Sequence, residues 1–224
     1  MQIIWKGHAC FNLIFSFNDP KAEKKQISIL IDPYDNKIGG RLISVPSDIL
    51  LITHDHYDHN NAKVAGENAF VINMPGEYEI KGIFIEGIKS FHDNKNGKER
   101  GVNTIYKIEG DGIKVCHMGD FGQDELSEEQ LDGIGDVDIL LIPVGGIYTV
   151  DPKTAWHIVS QLEPKIVIPM HYQTSWLQLP KKLHSVEEFL KIAGQKDAKP
   201  QNKLVIKQKD LPREETKVIV LEKS

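Results

Sequence analysis

Asp48-Ile49-Leu50-Leu51-Ile52-Thr53-His54-Asp55-His56-Tyr57-Asp58-His59 is the stretch on which the fold turns. Ile49 to Ile52 form a short, branched, uninterrupted apolar run, which reads as a buried strand. The strand delivers three imidazoles and a carboxylate to one loop. Bare imidazoles cluster poorly, because each is bulky and half-polar and each repels its neighbours when charged. A divalent metal ion removes the conflict by accepting their lone pairs. Two histidines four apart would share a helix face, as in the zinc protease motif. His54 and His56 are two apart, and in an extended segment such residues point the same way. These two can hold one ion. Asp58 and His59 are adjacent and must diverge unless the loop turns beneath them; a turning loop can aim them at a second ion beside the first.

Outward from this block, apolar runs at 2–5, 10–17 and 26–31 read as strands, with the polar stretch Asn18 to Lys25 as a hairpin loop. Further strands fall at 48–52, 69–73, 78–80 and 83–89. Strands at 103–109 and 112–117 are joined by the tight turn Glu109-Gly110-Asp111-Gly112. Helices follow at Glu125 to Ile134, from an Asp151 cap to Leu162, and from Ser185 to Ile192, alternating with strands at Asp138–Pro143 and Lys165–Pro169. Closing strands are expected at 203–206 and 216–221. A mostly antiparallel half is thus followed by one in which helices alternate with strands. Two sheets packed face to face, with helices outside, fit this order best. No repeat or linker interrupts the chain, and residues 1–224 are expected to form a single domain.

Composition narrows the function. The chain has 224 residues, 40% hydrophobic and 26% charged, with a net charge of −5. Lys and Arg are dispersed, so nucleic acid is not expected as a partner. No apolar run approaches membrane-spanning length, and the start Met1-Gln2-Ile3-Ile4-Trp5-Lys6 has no signal-peptide pattern. The expectation is a cytoplasmic protein with a small-molecule substrate, and a homo-oligomer is compatible with it. Cys10 and Cys116 lie in strand-like segments and read as buried free thiols.

Three more candidate ligands share the grammar of the first block, a buried strand and then a ligand. They are His92 after the run ending at Phe91, Asp120 in Cys116-His117-Met118-Gly119-Asp120, and His171 after Ile166-Val167-Ile168-Pro169. With Asp32 in Ile29-Leu30-Ile31-Asp32-Pro33, this series resembles the pattern of the metallo-β-lactamase superfamily: Asp after an early strand, then H-x-H-x-D-H, His, Asp and His. The resemblance spans nearly the whole chain. Within the superfamily the chain looks like the branch of small bacterial hydrolases that includes L-ascorbate-6-phosphate lactonase, on three phrases: Trp5-Lys6-Gly7-His8-Ala9-Cys10-Phe11, His117-Met118-Gly119-Asp120 and Ile168-Pro169-Met170-His171-Tyr172.

The resemblance implies an α+β fold, the four-layer αββα sandwich. It also implies that His54, His56 and His92 bind one ion and Asp58, His59 and His171 the other, with Asp120 bridging them. Asp32 would orient the histidine loop without touching metal. The third histidine of the family sits in a glycine-rich phrase, whereas here it stands in Ser90-Phe91-His92-Asp93. His117 therefore competes with His92 for that position; His92 is preferred, and His117 is read as substrate-facing or as support for the ligands. His8 is read equally as a pocket residue and as a structural hydrogen-bonding one.

Five imidazoles and two carboxylates without a thiolate suit two divalent metal ions, Zn²⁺ first, with Mn²⁺ and Fe²⁺ as alternatives. Asp58 and Asp120 carry the catalytic roles, and the expected activity is hydrolysis of a small ester, lactone or phosphodiester by hydroxide generated on the metals. Two other readings stand beside it: an iron-dependent oxidoreductase on the same fold, and a non-catalytic metal-binding module.

Overall fold

The computed structural model describes residues 1–17 and 25–224. The chain opens with strands β1 (Gln2–Gly7), β2 (Cys10–Ser16), β3 (Gln26–Ile31), β4 (Ile49–Leu51), β5 (Phe70–Ile72), β6 (Gly76–Ile80), β7 (Ile83–Phe91), β8 (Val102–Gly110) and β9 (Ile113–His117). Then come helix α1 (Glu128–Ile134), β10 (Ile139–Pro143), α2 (Pro152–Leu162), β11 (Ile166–Met170), α3 (Val186–Ile192), β12 (Leu204–Val205) and β13 (Lys217–Val218). The strands form two sheets, ordered β12-β1-β2-β3-β4-β5 and β13-β11-β10-β9-β8-β7-β6. The expected hairpin loop at 18–25 lies, but for Lys25, outside the described residues. The strands it joins pair antiparallel from Ser16↔Gln26 to Phe11↔Ile31.

The inner faces of the two sheets share one core. Ile3, Trp5, Phe11, Leu13, Phe15, Ile29 and Ile31 from the first meet Ile83, Ile85, Ile105, Ile108, Ile113 and Val115 from the second. Alternation marks the strands that cover the core on one side only: Ile83 and Ile85 are buried and Phe84 between them is 54% exposed. β10 and β11 are buried at every position because the helices cover their other face. α2 presents Ala155, Ile158, Val159 and Leu162 inward, and its Asp151 cap accepts the Thr154 N–H at 2.7 Å. This is the αββα arrangement. The outer layer over the first sheet is thin: Cys10, Leu30 and Leu50 are covered by Tyr34, Ile38, Leu42, Val64, Leu177 and Leu183 from irregular segments carrying two short 3-10 turns.

Three details refine the sequence reading. The first half is mostly antiparallel, as read, but β3, β4 and β5 within it run parallel. The connections 32–48 and 52–69 are long enough for the crossovers that parallel neighbours require. The closing strands shrink to two residues each, and α1 starts at Glu128, where Ser127 and Gln130 form a reciprocal capping box.

Parallel pairing has a direct consequence. β3 and β4 end on the same edge, as do β9, β10 and β11, which are mutually parallel. β7 runs with them, because both β7 and β9 are antiparallel to β8. Asp32, His54, His92, Asp120, Gly145 and His171 therefore follow strand carboxyl ends at one rim, the position where ligands gather in sheets of this kind.

Candidate metal centre

The strand-end turns are built to force side chains inward. His8, Asp32 and His171 adopt left-handed backbone conformations, with φ of 57°, 46° and 51°. Non-glycine residues rarely do so, and they persist only where the surroundings over-determine them. The His8 turn is fixed by the indole of Trp5 donating to the His8 carbonyl at 2.9 Å and by the His171 N–H donating to the same oxygen at 3.1 Å. Gly119, at φ 57°, lets the chain pass between Thr53 and Asn103; a Cβ there would lie 2.8 Å from the Thr53 Cβ. The histidine loop does turn beneath itself, with the His59 N–H donating to the His56 carbonyl at 2.9 Å. Asp55 points away and takes the Asn60 amide at 2.6 Å.

The rim gathers two sets of donor atoms. His54, His56 and His92 present ligand atoms within 4.8 Å of one another, and so do His8, Asp58, His59 and His171. Asp120 stands between the sets. Its Oδ2 lies 3.1 Å from His171 Nε2, 3.2 Å from His92 Nε2, 3.3 Å from His59 Nε2 and 4.0 Å from His54 Nε2. Asp120 is itself fixed by its backbone N–H donating to Asn103 Oδ1 at 3.0 Å. His54 Nε2, His59 Nε2 and Asp120 Oδ1 are buried without a hydrogen-bond partner. Buried polar atoms left unpaired are costly, and convergent ones imply a missing polar guest. Imidazole nitrogens and carboxylate oxygens at these separations fit a divalent cation.

Electrostatics agree with that fit. Burial lowers His54, and the neighbouring His59 adds to the effect. Burial likewise lowers His56, so both rings keep lone pairs free near neutrality. His59 moves the other way: burial opposes its charge, but Asp120 and Asp58 outweigh it. Asp58 and Asp120 are held below the usual carboxylate range by the surrounding imidazoles, against the cost of burial.

Asp32 lies one layer back. It accepts the Thr53 N–H at 2.8 Å and the Thr53 hydroxyl at 2.7 Å, and its Oδ2 is 3.0 Å from His59 Nδ1. Thr53 Oγ1 is also 2.9 Å from His54 Nδ1, so one carboxylate sets two rings at once. Sequence reasoning missed Thr53 and Asn103. Thr53 had a signal, being the one polar residue between the strand and the first histidine; Asn103, inside a strand, had none.

His117 is not substrate-facing. It is fully buried, its Nδ1 accepts the Gly119 N–H at 3.1 Å, and its Nε2 donates to the Ala9 carbonyl at 2.9 Å. Both nitrogens are spent on backbone, and the ring shapes the turn into Asp120; it is His92 that reaches the centre. His8 does not line the cavity described below. Its Nε2 lies 3.2 Å from Asp58 Oδ2, and its ring packs 4.0 Å from that of His171, so it backs the centre from within. Burial, with His171 close by, lowers His8 to about 4.

A cavity of about 310 Å³ opens onto the centre, lined by His56, Tyr57, Asp58, His92, Arg100, Asp120, Tyr148, Leu179 and Pro180. A larger groove of about 470 Å³ runs beside β6 and β7, but none of the clustered histidines lines it. In the Gly145–Tyr148 turn the Gly146 N–H donates to the Val150 carbonyl at 3.1 Å and the Tyr148 N–H to the Gly146 carbonyl at 2.7 Å. Trp176 and Leu177 are packing residues: the Trp176 ring stacks 5.8 Å from that of Tyr34, and Leu177 is buried.

Residues 2–171 match the family described as the β-lactamase superfamily domain. A UPF0173 metal-dependent hydrolase from Thermococcus onnurineus is 32% identical, over 88% of this chain and 93% of its own. A relative of the same description from Thermoplasma acidophilum is also 32% identical, over 78% and 84%. Among solved structures, a candidate Zn-dependent hydrolase of the metallo-β-lactamase superfamily from Thermotoga maritima is 35% identical and covers 99% of both chains, with a TM-score of 0.75. A metallo hydrolase from Ignicoccus hospitalis, 21% identical over 92% of this chain and 99% of its own, shares the fold at a TM-score of 0.63.

Proposed function

This chain belongs to the metallo-β-lactamase superfamily, among its metal-dependent hydrolases, and from that premise we propose that it uses two divalent cations to hydrolyse a small ester, lactone or phosphodiester. The observation that carries the reading is Asp120, whose carboxylate reaches imidazoles of both donor sets while its Oδ1 stays buried and unpaired. His54, His56 and His92 would hold one cation, Asp58, His59 and His171 the other, with Asp120 shared. Zn²⁺ is the first choice, supported by the donor chemistry and by the description of the Thermotoga relative. When bound, the ions supply Lewis acidity toward a substrate oxygen and lower the pKa of a water toward ~7.

The chain's own residues then have separable tasks. Asp58 lines the cavity and is steadied from behind by His8, so its carboxylate can accept a hydrogen bond from the attacking water and hold it in line. Asp32 and Thr53 keep His54 and His59 in the required orientation. Neither cysteine competes as a nucleophile: Cys10 and Cys116 are buried, and burial pushes the Cys116 thiol up to about 12 and Cys10 well above its ordinary value.

The test begins with metal analysis of protein purified without added metal, followed by a screen of p-nitrophenyl esters, lactones and phosphodiesters after loading with Zn²⁺ or Mn²⁺. We expect about two equivalents of cation, and Asp58→Ala should lower turnover at least ~100-fold. A metal-replete protein that turns over none of these substrates would refute the hydrolase assignment. Tightly bound iron with oxygen consumption would replace it with oxidoreductase chemistry.

A further inference from the structure

Arg100 is the one Lys or Arg among the residues lining the cavity over the metal centre. Three contacts set its position. The backbone N–H donates to Asp93 Oδ2 at 2.8 Å, Nη2 donates to the Ile147 carbonyl at 3.1 Å, and the guanidinium carbon lies 5.9 Å from the Tyr148 ring centroid. The acceptor is itself held in an unusual pose, since Ile147 is β-branched and sits at φ 64°. Among the described residues no carboxylate lies within 4.0 Å of the guanidinium. A guanidinium has five N–H donors, so most of this fork is left for a guest.

We infer that Arg100 is the specificity residue of the pocket and that the substrate carries an oxyanion, a carboxylate or a phosphate, at the end remote from the bond that is cleaved. The inference rests on the hydrolase reading and names its substrate class. A planar fork pinned at one edge offers paired donors to a planar or tetrahedral oxyanion, which a lysine could not match. Tyr57, Tyr148 and Leu179 add apolar surface to the same cavity, which suits a short carbon stem. A cavity of about 310 Å³ confines the guest to a small molecule.

The experiment compares p-nitrophenyl hemisuccinate with p-nitrophenyl butyrate, which match in length and differ in the terminal carboxylate, on the metal-loaded protein. The readout is the ratio of kcat/KM for the anionic ester to that for the neutral one, which is insensitive to the fraction of protein folded. Arg100→Ala should lower this ratio roughly 10- to 100-fold, mainly through KM, and Arg100→Lys should restore part of it. An unchanged ratio in Arg100→Ala would overturn the inference, and would mean that the guanidinium merely offsets the acidic centre.

A binding arm separates this outcome from failure of the hydrolase reading. N-phenylsuccinamate and its phosphonate counterpart, with butyranilide as the neutral control, are titrated by calorimetry into the wild-type protein and Arg100→Ala. Tighter binding of either anion to wild type than to the variant supports the inference even if no ester is cleaved, and the better of the two separates carboxylate from phosphate. Equal binding to both proteins overturns it.

Discussion

Asp32 shows how much one buried carboxylate can decide. Both of its oxygens accept from Thr53, and Oδ2 also faces His59 Nδ1. Replacing it by alanine leaves those donors buried and unpaired. Asp32→Ala is expected to cost roughly 3–5 kcal/mol of stability in a urea titration. The weaker change Asp32→Asn should keep the fold and lower metal affinity about 10- to 100-fold, as read by competition with a chromogenic chelator. Gly119→Ala is a steric counterpart: a β-carbon there meets Thr53 and the Asn103 side chain that fixes Asp120, at a positive φ. We expect a loss of about 2–4 kcal/mol on thermal unfolding, with metal stoichiometry falling as Asp120 shifts. At this scale the histidine block was legible because its residue types are unusual side by side. The preference for His92 over His117 rested on the position of His117 three residues before Asp120, and only the fold shows that backbone groups occupy both nitrogens of His117.

The loop after β7 behaves as a unit. Asp93 accepts four backbone N–H groups, from Lys95 and Gly97 on Oδ1 and from Glu99 and Arg100 on Oδ2, at 2.8–2.9 Å. These bonds hold its carboxyl down to about 2 against the cost of burial. The carboxylate therefore supports the folded state fully above its unfolded pKa of ~3.9, and this support is lost as pH falls toward its folded value. Asp93→Ala should expose residues 94–101 to rapid amide exchange by mass spectrometry and misplace both His92 and Arg100. At pH 7 it should cost about 2–3 kcal/mol, and the difference from wild type should shrink below pH 4. Most elements were readable from apolar runs and caps: Asp151 begins α2 as expected, and the Glu109–Gly112 turn joins β8 to β9. The parallel β3-β4-β5 pairing was not readable, because side-chain periodicity reports burial and says nothing about strand direction.

For the whole molecule, the centre joins the two sheets. Asp32 and the histidine loop come from the first, His92, Asp120 and His171 from the second, so a cation held between them would bind the folded state far better than the unfolded chain. Removing bound metal with a chelator should lower the melting temperature by roughly 10 °C, and re-addition of Zn²⁺ should restore it. Equal melting curves with and without metal would show that the cage gains nothing from a cation. What the sequence determined alone was the inventory: buried strands that end in metal-type ligands, in the order the superfamily shares, because apolar runs and ligand spacing are local properties. What the tertiary structure decided was adjacency. It set which carboxylate lies between the imidazoles, which histidine turns its back, and which arginine faces the cavity, because residues far apart in the chain meet only once strand direction and sheet packing bring the loops to one rim.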